Sequence, residues 1–166
     1  MAQERSYNDV MDDQDRLDQL RKLFHDIEDL IPFNRYLGLH AESIDDEGAV
    51  VHLEMRDELI GNFQHGVLHG GVISATLDVV GGMAAMATAV LREGSIEDSI
   101  QRLRPTSTID LRVDYLRPGA GERFTARGFT LRAGSRVAVT RMELHNENDD
   151  LLAVGTGTYI YNYADQ

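Results

Sequence analysis

From Val72 to Leu91 the chain runs for 20 residues with a single charged side chain, Asp78. A stretch of that length could cross a bilayer, but membrane spans are rich in Leu, Ile and Phe. This one is built mostly from Ala, Gly, Val, Met, Ser and Thr, and the chain's mean hydropathy is −0.31. The reading is therefore a buried helix, from about residue 70 to 92, with no membrane partner. A helix that is apolar nearly all round must be enclosed. One antiparallel sheet curled around it covers only part of its surface, so at least a dimer is expected.

The rest of the chain supplies such a sheet. Ile109, Leu111, Val113 and Tyr115 alternate with Thr108, Asp110, Arg112 and Asp114, the period of a half-buried strand. Further strands are expected at 40–44, 49–55, 123–131, 136–145 and 151–161, separated by turn chemistry such as Pro118-Gly119-Ala120-Gly121 and Ala133-Gly134-Ser135. The last four strands read as a meander, and Gly94 to Pro105 as a polar connection. Leu17, Leu20, Phe24, Ile27 and Leu30 recur at helical spacing in residues 14–31, and Pro32 stops that pattern. An acidic helical extension over 1–34 thus precedes a domain over 35–166.

Charge narrows the function. The net charge of −12 argues against nucleic acid as a partner. Residues 102–141 reverse the sign, with nine arginines against Asp110, Asp114 and Glu122, and the chain holds one lysine, Lys22. Guanidinium forks suit phosphate, so these strands either form an ordinary solvated face or meet a phosphorylated small ligand. With no cysteine, disulfides, thiol nucleophiles and thiolate metal sites are excluded. The polar, acidic start shows no secretory h-region, and a cytoplasmic protein is expected.

Chemistry concentrates in "HGGVISATLD", residues 69–78. Gly70 and Gly71 stand where the helix should begin. Free N–H groups there can hold a developing anion, and glycine lets a ligand approach the backbone; the pair could equally make a sharp turn. Asp78 follows two turns later. Ser74, Asp78, Gly81 or Gly82, and Ala85 form a small, polar stripe that admits something close. Asp78 is either a core residue satisfied by its surroundings or a general base tuned by partial burial. His65 and His69 lack an obvious third ligand, so no metal is expected. His25, His40, His52 and His145 fit surface or packing positions. No G-x-S-x-G, dinucleotide or Walker A pattern is present, and no cofactor is expected.

Taken together, "GNFQHGVLHGGVISATLD", "STIDLRVDYLRPGAGERFTARG" and "GSRVAVTRMEL" resemble the hotdog-fold thioesterases, specifically the PaaI-like and YigI-like acyl-CoA thioesterases, over about residues 35–162. The resemblance implies an α+β fold, a curved antiparallel sheet around the long helix. It also implies dimers, often paired into tetramers, with active sites between subunits. It gives His69 the task of orienting the substrate carbonyl or water, and the Gly70 N–H that of holding the thioester oxygen. Asp78 of the facing subunit would activate water or attack directly. Asn62 would position water or thioester, but it precedes His69 by seven residues where the family more often has six, leaving Gln64 or His65 as substitutes. Substrate contacts are expected from Gly71, Ser74, Gly82, Arg117, Arg132, Ser135 and Arg136. The expected reaction is hydrolysis of acyl-CoA to free acid and coenzyme A. The rivals are an acyl-thioester hydratase or dehydratase using His69 with Asp78, and a non-catalytic acyl-CoA-binding module.

Overall fold

Pro32 begins a helix rather than merely ending one. In the structure, a computed structural model describing residues 18, 19, 21, 22, 24, 31–92 and 103–163, helix α1 spans Pro32–Leu37. Proline is tolerated at the first helical position, where its missing N–H would have no intrahelical partner. The helix ends at Gly38, whose φ of 70° lets its N–H turn back to the carbonyls of Asn34 and Arg35. The expected boundary at residue 34 therefore falls inside α1. Much of the expected helix over 14–31 lies outside the described residues. Those described within it (18, 19, 21, 22 and 24) are helical, and Phe24 is buried in the core.

Strands β1 (His40–Ile44) and β2 (Ala49–Glu54) form the expected hairpin. Two elements not foreseen follow: a 3-10 turn at Asp57–Leu59, and a ribbon of β3 (Ile60–Asn62) and β4 (Val67–Leu68). The long helix α2 runs over Gly70–Arg92. Then come β5 (Leu103–Tyr115), β6 (Arg123–Ala133), β7 (Val137–Asn146) and β8 (Leu151–Tyr163). The connection read over Gly94 to Pro105 is already strand from Leu103; residues 94–102 lie outside the described ones.

The last four strands do not form a simple meander. The six-stranded antiparallel sheet has the order β1-β2-β6-β7-β8-β5, so β5 pairs with β8 and leaves the flank of β6 to β2. The segment after β5 explains the crossing. The N–H groups of Leu116 and Arg117 both bond to the Leu152 carbonyl, and the chain then passes Pro118 before re-entering at Arg123. That is too long and too proline-constrained for a tight hairpin.

α2 lies across one face of this sheet, the arrangement implied by the hotdog resemblance. Leu77, Val80, Ala84 and Val90 of the helix bury against Leu53, Phe124, Met142 and Leu144 of the strands. The approach is close at Gly128 of β6, where a Cβ would lie 2.5 Å from the Val80 carbonyl oxygen. Small residues on the helix serve the same end. Ala85 and Ala89 pack with Tyr159 and Tyr161 of β8, so the room on this stretch of the stripe is filled by the chain's own aromatic side chains.

Candidate active site

At its start, α2 is held by two neighbouring loops. The His69 N–H bonds to the Leu59 carbonyl at 2.8 Å, and the Leu68 N–H to the Gly119 carbonyl at 2.9 Å. Gly61 lets the histidine in, since a Cβ there would come within 2.5 Å of the His69 Cα. His69 then folds back over the helix start: its Nδ1 accepts the Gly71 N–H at 2.8 Å. A neutral imidazole accepting at Nδ1 carries its proton on Nε2, which is left as a donor. A Cβ on Gly71 would collide with that Nδ1, so glycine is required for this cap.

The first-turn donors can now be accounted for. Gly71 gives its N–H to His69 Nδ1, and Val72 and Ile73 give theirs to the His69 carbonyl. Gly70 alone among these keeps an N–H with no partner among the described residues. Its carbonyl is held by the Tyr115 hydroxyl at 3.0 Å and the Ser74 hydroxyl at 3.1 Å. Ser74 thus bonds back to its own helix, to the Gly71 carbonyl as well.

Two turns along, Asp78 is half-buried. Its Oδ1 accepts the Thr108 hydroxyl at 3.0 Å and lies 3.3 Å from the Tyr159 hydroxyl, which also reaches the Asp78 backbone carbonyl at 3.1 Å. Thr108 and Tyr159 are directly paired across β5 and β8. Two opposed residues of adjacent strands therefore converge on one carboxylate oxygen, while Oδ2 has no hydrogen bond among the described residues. Burial pushes the Tyr159 phenol well above its ordinary range, and the Asp78 charge adds to the effect.

The remaining expected site residues fall into three places. Asn62 is exposed at the tip of the β3–β4 ribbon, where its Oδ1 accepts the Gln64 N–H at 3.0 Å. Its carbonyl oxygen is thereby committed to its own turn, leaving the amide nitrogen. Arg117 is paired with Asp150 at 2.7 Å. Arg132, Ser135 and Arg136 flank or form the β6–β7 turn, joined to β8 by the bond from the Tyr161 N–H to the Arg136 carbonyl. Arg112, Arg123, Arg127 and Arg141 also meet carboxylates, at 3.0, 3.8, 3.5 and 2.7 Å. Arg132 and Arg136 meet none among the described residues; Arg102 and the Arg104 side chain lie outside them. Gly82 is half-buried, 3.5 Å from the Tyr159 ring when a Cβ is placed on it.

Tyr115, Thr108 and Tyr159 are not among the residues expected from sequence. Thr108 carries only the signal of the polar phase of a strand, and the tyrosines that of its apolar phase.

The thioesterase superfamily's sequence model matches residues 65–153, which include the helix start, Asp78, Thr108 and Tyr115. The chain belongs to the thioesterase superfamily. Among its relatives, the medium/long-chain acyl-CoA thioesterase YigI of Escherichia coli strain K12 is 48% identical over 132 residues, 78% of this chain and 85% of that protein. The YigI of Salmonella typhimurium is 47% identical over 132 residues, with the same shares of each chain covered. A solved Shewanella oneidensis structure related to the superfamily matches with a TM-score of 0.80 at 46% identity, covering 89% of this chain and 96% of that one.

Proposed function

We propose that this protein hydrolyses acyl-CoA thioesters, with medium and long acyl chains as the first substrates to test, as the names of its YigI relatives suggest. One observation carries the reading. A single helix presents, at its first residue, Gly70, an N–H with no partner among the described residues and, two turns later, a carboxylate, Asp78, with one oxygen likewise unbonded among them. In the proposed reaction, water attacks the thioester carbonyl carbon while Asp78 takes its proton. The carbonyl oxygen becomes an oxyanion held by the Gly70 N–H. Collapse of the intermediate breaks the carbon–sulfur bond, and the proton passes to the departing thiolate, giving free acid and coenzyme A.

The two groups cannot serve one thioester from the same copy. Eight residues of α-helix separate them by about 12 Å along the axis, far beyond the span of a carbonyl and its attacking water. In this mechanism Gly70 therefore comes from one subunit and Asp78 from another. Strand β5 supports association: it is a sheet edge, and Ile109, at its register shift, and Tyr115 are 55% and 53% exposed. Arg132 and Arg136, free of carboxylates among the described residues and exposed at the β6–β7 turn, are assigned to the phosphates of coenzyme A. The absence of cysteine and the net charge of −12 support a cytoplasmic enzyme that ignores nucleic acid.

The hydratase reading is weaker on this geometry, because His69 Nδ1 is occupied and the neutral ring can only donate at Nε2. A thiol-release screen across acyl-CoA esters of graded length, run beside enoyl absorbance, tests the proposal. Free thiol without an enoyl signal is expected. Silence on every ester, with acyl-CoA still bound, would leave a non-catalytic acyl-CoA-binding module.

A further inference from the structure

Tyr159 and Tyr161 stand two residues apart on the same face of β8, and both are buried against α2. Tyr161 donates its hydroxyl to the Ala85 carbonyl at 3.2 Å. Tyr159 does the equivalent at the Asp78 carbonyl, one pair of helical turns earlier, but its hydroxyl also reaches the Asp78 carboxylate. Both hydroxyls hold a helix carbonyl, and that of Tyr159 also contacts the Asp78 carboxylate.

The chain is shaped around that hydroxyl. A Cβ at Gly81 would fall on it, and would also press on Met142 Sδ and Thr140 Oγ1 at 2.8 and 2.9 Å. A Cβ at Gly157 would come within 2.7 Å of both the ring and the oxygen. Two glycines on two elements thus keep open the slot in which the phenol reaches Asp78. Phenylalanine would fill the same space in the core, so what tyrosine adds here is the hydroxyl and its reach to Asp78.

We propose that Tyr159 is a positioning residue for the hydrolytic reaction: with Thr108 it anchors Oδ1 of Asp78, turning Oδ2 toward the water that is to be deprotonated. This rests on Asp78 acting as the base. A carboxylate rotates freely about its last bond unless one oxygen is fixed. Two hydroxyls on the same oxygen remove that freedom and leave the other oxygen in one place. Fixing the reacting atom acts on the chemical step, so kcat should carry the effect and KM should not.

The test compares Tyr159→Phe with Tyr161→Phe, each alone and in an Asp78→Asn background, assayed by thiol release well below the lower Tm. Each single variant keeps its ring and loses a hydroxyl bond to a helix carbonyl, and Tyr159→Phe also loses the carboxylate contact, so both should lower Tm, Tyr159→Phe at least as much. Only Tyr159→Phe should lower kcat, by about tenfold for a loosened reacting group, with KM for acyl-CoA unchanged. In the Asp78→Asn background Tyr159→Phe should cause no further loss, because there is no base left to aim. Equal kcat effects from the two tyrosines, or a full further loss in the Asp78→Asn background, would overturn the positioning role while leaving Asp78 as the base. Near-parental turnover by Asp78→Asn itself would overturn the base and the positioning role together.

Discussion

The Tyr115 hydroxyl donates to the Gly70 carbonyl at 3.0 Å, and the Tyr115 ring lies 3.5 Å from where a side chain on Gly70 would begin. An edge strand thus holds the residue whose N–H is assigned to the oxyanion. Tyr115→Phe keeps the ring packing and releases the carbonyl. It should lower kcat roughly threefold to tenfold, since orientation is loosened and the donor itself remains, with little change in KM. An unchanged kcat with a lower Tm would make the bond structural.

Removing the donor outright should cost more. Gly70 is the first residue of α2, a position where proline fits the helix, removes the N–H and puts a ring carbon in its place. Gly70→Pro should lower kcat by on the order of a hundredfold or more, the scale of a lost oxyanion donor. Because Gly70 and Asp78 are assigned to opposite subunits, coexpressing Gly70→Pro with Asp78→Asn should restore activity. In a dimer with two shared sites, random pairing returns about a quarter of the parent rate. No recovery from coexpressed chains that do mix, or an active monomer by light scattering, would contradict the shared site.

Much of the scaffold is readable in the sequence because it rests on local period. The switch from the apolar run at 72–91 to the alternation at 108–115 places α2 and β5, and the Gly- and Asn-containing turns place the ends of β6 and β7. The helix start and Asp78 are legible too, because glycine pairs and a lone charge in an apolar helix are chemically conspicuous. Tyr159 and Thr108 are not. Their convergence on Oδ1 depends on β5 crossing to pair with β8, a long-range choice that no local pattern encodes. The helical turn at Pro32 escapes the pattern for a simpler reason: proline both ends one helix and begins the next.

Charge placement gives a third prediction. Arg132→Glu and Arg136→Glu should each raise KM for acyl-CoA about tenfold, the scale of one charge-assisted hydrogen bond to a phosphate. Both should leave hydrolysis of short thioesters lacking the nucleotide unchanged. Arg117→Glu breaks only an exposed pair with Asp150 and should matter less to KM. Equal losses on both substrate types would assign Arg132 and Arg136 to structure.

Tyr159 also ties stability to alkaline pH. Its phenol is raised above the ordinary value of 10.0, first by burial and then by the Asp78 charge. The folded state therefore keeps a proton that the unfolded chain releases. The stability from this group is fully present below the unfolded value and is lost as pH rises above it toward the folded one. Denaturant melts between about pH 9 and pH 11 should show the parent losing stability more steeply than Tyr159→Phe. Parallel slopes would contradict the assignment.

The most direct test of the mechanism is turnover by Asp78→Asn. Asparagine keeps the size of the side chain and an oxygen for the Thr108 and Tyr159 hydroxyls, while removing the base. Thiol release from acyl-CoA should fall by roughly two orders of magnitude or more, the usual scale for a lost general base, with acyl-CoA binding retained. Hydrolysis near the parent rate, accompanied only by a lower Tm, would show that the aspartate is a core residue and that the proposed mechanism is wrong.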